Sequence, residues 1–159
     1  MFTKIVWATD GSDHANRALD YAARLAAAEH AQLHVVHIVE KIVGGRVAGQ
    51  NVFVNEDELD AKIKEQTRRV SAEHGIKTTV HLASSGAGNI ADHIAEIAAD
   101  TGADLIVVGT RGRSALGGLV LGSVTQRLLH VAVCPVLAIP RVRAADGEAS
   151  SQPAATTVS

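Results

Sequence analysis

Aromatic rings are scarce in this 159-residue chain: Phe2, Trp7, Tyr21 and Phe53 are its only Phe, Tyr or Trp residues. Proteins that hold single-stranded nucleic acid stack bases on such rings, so that class is excluded. Neither sign of charge is in excess. Fifteen Lys plus Arg stand against 17 Asp plus Glu, which provides no long-range attraction to nucleic acid or anionic lipid. A single cysteine, Cys134, rules out an internal disulfide, and no apolar run approaches the ~18 residues that span a bilayer. Lys4 and Asp10 bracket the first short apolar run, which therefore does not read as a secretion signal, and a cytoplasmic location is the expectation. The chain also has no G-K-[ST] sequence, which excludes a Walker-type phosphate loop.

What is present is a 47% hydrophobic chain of about one domain's length, in which apolar β-branched runs alternate with helical patterns. Residues 4–9 (KIVWAT) read as a strand that ends at the turn Asp10–Gly11–Ser12. Helix one is predicted over 13–29, where Ala15, Leu19, Ala22, Ala23 and Ala26 recur at helical spacing and suit close packing on a sheet. Residues 33–39 (LHVVHIV) form the second strand, and 40–57 an irregular lid or insertion containing three glycines. Helix two spans 58–74 and stops at Gly75. Ile76, Thr78, Val80 and Leu82 then alternate as strand three, and 84–89 form a loop. Ile90, Ile94 and Ile97 mark helix three, 104–108 (DLIVV) strand four, 124–131 helix four and 134–139 (CPVLAI) strand five. From Arg141 the composition shifts to Ala, Ser, Thr and Gly without apolar periodicity, so 141–159 read as a disordered tail after a single domain over 1–140. Five strands alternating with helices predict an α/β fold, an open five-stranded parallel sheet with helices on both faces and a ligand crevice at the strands' carboxyl ends.

Five of the fourteen glycines fall between Gly109 and Gly122, directly after strand four and just before Ser123 and the last helix. Strand, glycine loop and helix make an anion-binding arrangement, because first-turn amides point at a ligand and glycines admit a phosphate close to the main chain. The amides of Gly109, Gly112, Gly122, Ser123 and Val124 are therefore candidates for a nucleotide's phosphates. Ser123 can cap the helix, bond a phosphate oxygen or touch a phosphate-bound metal. The bland alternative is that these glycines only make turns. Arg111 and Arg113 either add charge towards phosphate or simply solvate the loop. Asp10 is placed either to accept ribose hydroxyls or to cap helix one, and Ile38 and Val39 either to meet an adenine or to fill the core.

His30, His34 and His37 do not read as a metal site, since His30 ends a helix while His34 and His37 face opposite sides of a strand. Cys134 reads as a buried structural thiol. With no phosphate-loop lysine and no base that the sequence identifies, the glycine loop reads as a holding site rather than a catalytic one.

The spacing Gly109-x-x-Gly112, nine residues, Gly122-Ser123 resembles the G-x-x-G-x9-G-[ST] motif of the ATP-binding branch of the universal stress proteins. The opening T-D-G-S, His37-Ile38-Val39, the D-L-I-V-V-G approach and the closing C-P-V-L-x-I look like that family too, over residues 1–140. The resemblance implies a Rossmann-like fold, homodimerisation often through the last strand, ATP bound with Mg²⁺, and a regulatory role in stress through an unidentified protein partner. It assigns Asp10 to the ribose, the Ile38 backbone to adenine, and Gly109, Gly112, Gly122, Ser123 and Val124 to the phosphates, with Arg111 and Arg113 less directly carried. A slow ATPase or nucleotidyl-transfer enzyme, or a binder of AMP or cyclic AMP, are the alternatives.

Overall fold

The computed structural model of the chain describes residues 1–40, 56–86, 89–112 and 121–140. Among them, β1 (Lys4–Thr9), α1 (Asp13–Glu29), β2 (Gln32–Glu40), α2 (Glu56–His74), β3 (Thr78–Ser85), α3 (Ile90–Thr101), β4 (Leu105–Gly109), α4 (Ser123–Val131) and β5 (Val136–Ile139) alternate without interruption. All strand pairs are parallel, in the order β3-β2-β1-β4-β5. The chain steps outward from β1 to β3, then returns to lay β4 on the other side of β1. The order therefore reverses between β1 and β4, where a parallel sheet opens a crevice at its carboxyl edge.

Both faces of the sheet are covered. On one, Ile5, Trp7, Leu33, Val35 and Val107 pack against Ala15, Ala18, Leu19, Ala22, Ala23 and Ala26 of α1 and Ile63 of α2. On the other, Val6, Val36, Ile106 and Val108 meet Ala91, Ile94 and Ala98 of α3 and Leu128 of α4. This two-sided burial explains the near-continuous apolar strands. The alanines of α1 bring its backbone close to the sheet, close enough for the fully buried Trp7 to donate its indole N–H to the Ala15 carbonyl at 3.0 Å.

Some boundaries differ from those read in the sequence. α2 begins at Glu56 rather than 58, so the predicted insertion is shorter at both flanks; residues 41–55 lie outside the described residues, as do Arg113 and the predicted tail. β3 lies two to three residues later than the alternation of Ile76 to Leu82 indicated. Ser84 and Ser85, which read as loop, instead pair with Val39 and Glu40 of β2; the neighbouring strand's ladder overrides serine's preference for turns. β5 begins at Val136, and the Pro135 carbonyl only receives the Ile106 amide at 2.9 Å.

Candidate functional site

A cavity of about 500 Å³ occupies the crevice at the carboxyl ends of β1, β2 and β4. Asp10, Ile38, Val39, Gly109, Arg111, Gly112, Gly122, Ser123 and Val124 all line it, so the candidates from the sequence that fall among the described residues converge on one space. Several other lining residues were not singled out: Thr9 and Val108 at strand ends, Ala15 in the first turn of α1, Glu56 and Leu59 of α2, Ile90 and Ile94 of α3, and Thr125. Ile90 and Ile94 carried a signal, since they share the apolar face of a helix that follows a strand's carboxyl end. Glu56 carried none, because it fell in the irregular stretch.

The turn after β1 is built from its own side chains. Thr9 Oγ1 accepts the Gly11 amide and Asp10 Oδ1 accepts the Ser12 amide, both at 3.0 Å, while Ser12 Oγ accepts the Ala15 amide at 3.3 Å. Gly11 has φ +76°, and a side chain there would collide with Leu59. Ser12, not Asp10, is thus the N-cap of α1. Asp10 organises the turn through Oδ1 and lines the cavity, which removes one of its two sequence readings.

The glycine loop approaches this turn from β4. A Cβ on Gly112 would sit 2.5 Å from Asp10 Oδ2, and one on Gly109 would sit 3.0 Å from the His14 carbonyl oxygen. These two glycines are needed by the protein's own packing. Gly122 differs, because a Cβ there would meet nothing nearer than the Thr110 oxygen at 3.6 Å. It would rest in van der Waals contact on the Thr110–Gly112 backbone, and the Gly122 amide donates to that same Thr110 carbonyl at 2.8 Å.

Gly122 also occupies the N-cap position of α4, with extended φ and ψ and no side chain to satisfy the first turn. Ser123 is the first helical residue, which corrects the reading of its hydroxyl as the cap: the cap position precedes it. The start of α4 is held by Thr125, whose buried Oγ1 donates to the Gly109 carbonyl at 2.9 Å. The helix's partial positive charge and its first amides are therefore presented at the cavity beside Arg111.

His37 lines the same cavity and is only 3% exposed. Its Nδ1 lies 2.8 Å from the Thr9 carbonyl, which can only accept, so Nδ1 carries the proton. Its Nε2 is buried without a polar partner among the described residues. His34 lies on the opposite face, 3.0 Å from His81 Nε2 through its Nδ1, and burial followed by the nearby His81 charge pushes its pKa down. His30 is the left-handed cap of α1. Cys134 is half-buried rather than buried, and its thiol pKa is raised by that burial and then by Asp104. No described helix is long and apolar enough to cross a membrane.

The sequence and the fold match those of known proteins. Residues 1–140 match the model of the universal stress protein family. A Thermus aquaticus relative named "Universal stress protein in QAH/OAS sulfhydrylase 3'region" is 40% identical over 141 residues, covering 87% of this chain and 99% of its own. Among solved structures, a universal stress protein in complex with cAMP is 28% identical with a TM-score of 0.61, covering 87% of this chain and 97% of its own. The universal stress protein from Archaeoglobus fulgidus in complex with dAMP is 27% identical with a TM-score of 0.58, covering 87% and 98%. A Rossmann-like five-stranded parallel sheet, a family match along 1–140 and close relatives spanning nearly their whole length establish that this chain belongs to the universal stress protein family.

Proposed function

We propose that this protein is a reversible binder of adenine nucleotide, a cytoplasmic stress-response module in which occupancy of the β1/β4 crevice is the signal. The observation that carries this reading is the convergence of the turn carboxylate, the glycine loop and the first turn of α4 on one cavity of about 500 Å³. That volume lies within the roughly 300–1,000 Å³ typical of small-molecule sites. In this reading Asp10 accepts the ribose hydroxyls and the Ile38 backbone meets the adenine edge, with Ile90 and Ile94 supplying apolar surface. Gly109, Gly112 and Gly122 let phosphate approach the backbone, the Ser123 and Val124 amides hold it, and Arg111 adds charge. The complexes of relatives with cAMP and dAMP support adenine as the base.

The described residues contain no group of three side chains that could hold a metal. Mg²⁺ would therefore arrive on the phosphates of ATP, with the Ser123 hydroxyl within the phosphate-binding turn. A first-turn cradle recognises phosphate without counting phosphates, so AMP, cyclic AMP and ATP all fit the chemistry. Slow hydrolysis is the second reading, favoured by Asp10, Glu56 and His37 lining the cavity as groups able to take a proton. The same reading includes a homodimer through β5. Among the described residues that strand is a sheet edge, with Leu129 and Val133 exposed nearby, and sedimentation would give the mass of the assembly directly.

The test is to release and identify by mass spectrometry whatever nucleotide copurifies, and to measure melting temperature with AMP, cyclic AMP and ATP-Mg²⁺. An adenine nucleotide in the preparation and a concentration-dependent rise are expected. No rise with any of the three at millimolar concentration would overturn the reading. Steady release of phosphate from ATP, lost in an Asp10 or Glu56 variant, would favour the enzyme instead.

A further inference from the structure

A second, smaller cavity of about 170 Å³ lies between the first turn of α1 and the ends of β4 and β5, and it shares Arg111 with the first. Asp13, His14, Arg17 and Thr110 also line it. Its cationic character follows from the packing. His14 and Arg17 are three residues apart on α1 and so lie on one helical face. The missing side chain of Gly109 lets that turn close on the exit of β4, for an added Cβ would stand 3.0 Å from the His14 oxygen and 3.2 Å from the Arg111 oxygen. This close approach carries His14 and Arg17 to Arg111.

Asp13 precedes Arg17 by four residues, the spacing of a helical ion pair, yet no ion pair among the described residues engages Arg17 or Arg111. Two guanidinium groups lining one small space repel one another, a repulsion that an anion joining them relieves, and a ring N–H of His14 can donate to the same anion. The volume is below that of a nucleoside site but admits one tetrahedral oxyanion with water, and guanidinium is the side chain best matched to phosphate oxygens.

We propose that this cavity binds a phosphate group between His14, Arg17 and Arg111, and that Arg111 links its occupancy to that of the adjoining crevice. The phosphate is either free in solution or the end of a nucleotide's polyphosphate tail. Because one guanidinium serves both cavities, each ligand alters the other's affinity by the same factor.

The experiment titrates the full chain with inorganic phosphate, AMP and ATP by calorimetry at constant ionic strength. Arg17→Gln should weaken phosphate by about tenfold or more, the loss of a charge-assisted contact, while AMP affinity stays the same. Asp13→Asn should tighten phosphate, a gain that misfolding cannot produce. If the phosphate is free, it binds the AMP-loaded protein; if it belongs to the nucleotide, ATP excludes it and Arg17→Gln weakens ATP but not AMP. Phosphate and ATP affinities both indifferent to Arg17→Gln and Asp13→Asn would overturn the proposal. A protein that bound no nucleotide would leave the phosphate titration intact, so the two readings fail separately.

Discussion

Gly122→Ala separates a ligand cradle from a mere turn. The added methyl meets nothing closer than 3.6 Å, and Gly122 already has φ −73° and ψ 157°, which alanine adopts without strain. The cost to the unliganded fold is then only the poorer N-cap preference of alanine, about 0.5–1 kcal/mol. For a chain of this size that lowers the melting temperature by roughly 1–4 °C. In the bound state the methyl stands on the cavity wall beside the first turn of α4, against the proposed phosphate. At ligand a hundredfold above the wild-type dissociation constant, binding stabilises by about 2.7 kcal/mol. A tenfold loss of affinity reduces that to about 1.4 kcal/mol, and a hundredfold loss to about 0.4 kcal/mol. Differential scanning fluorimetry with and without AMP or ATP-Mg²⁺ reads both numbers. The variant should keep most of its unliganded stability and lose at least half of the ligand-induced shift. A full shift on a slightly lowered baseline would refute the reasoning and leave Gly122 as a turn residue.

Gly112→Ala should behave in the opposite order: its Cβ would press on Asp10 Oδ2 at 2.5 Å, so the unliganded protein should lose about 1–3 kcal/mol, measured by urea denaturation. Asp10→Asn, which keeps an Oδ1 acceptor for the Ser12 amide, should weaken AMP yet leave a 2′,3′-dideoxy analogue unaffected in a side-by-side titration, since the carboxylate's proposed partners are hydroxyls; equal weakening of both would count against the ribose role. The pH dependence of stability should carry His34's signature. Burial first, then the charge of His81, depresses its folded pKa below the unfolded value near 6.5, so the unfolded chain binds more protons as pH falls. That contribution is complete above the unfolded pKa and erodes as pH drops from there towards the folded one. Denaturation midpoints of wild type and His34→Gln between pH 5 and pH 7.5, at about half-unit steps, should converge at the acid end; parallel curves would refute it.

Much of the site was legible because its chemistry is local. The strand–glycine–helix run from Leu105 to Val131 and the Asp10–Gly11–Ser12 turn each announce themselves within a few residues, through strand propensity, glycine and cap chemistry. Elements with one partner in sequence were harder. Ser84 and Ser85 extend β3 along the ladder that Val39 and Glu40 offer them, and the cap of α4 falls on Gly122, whose amide bonds the distant Thr110 carbonyl, rather than on Ser123. His81 gave no signal, since its contact with His34 spans 47 residues.

Local pattern therefore determined the alternation of elements, the two-sided burial of the strands and the identity of the phosphate-type loop, all of which depend on neighbours within one helical turn or one strand. Which strands stand side by side was decided by the tertiary structure. Only the return of β4 to the flank of β1 brings Gly112 against Asp10 and the α4 amides to the same crevice, and only the closure of α1 on Gly109 gathers Arg17 and Arg111 around a second cavity. Charges and close approaches act through space, and residues separated by about a hundred positions meet only once the sheet has been ordered.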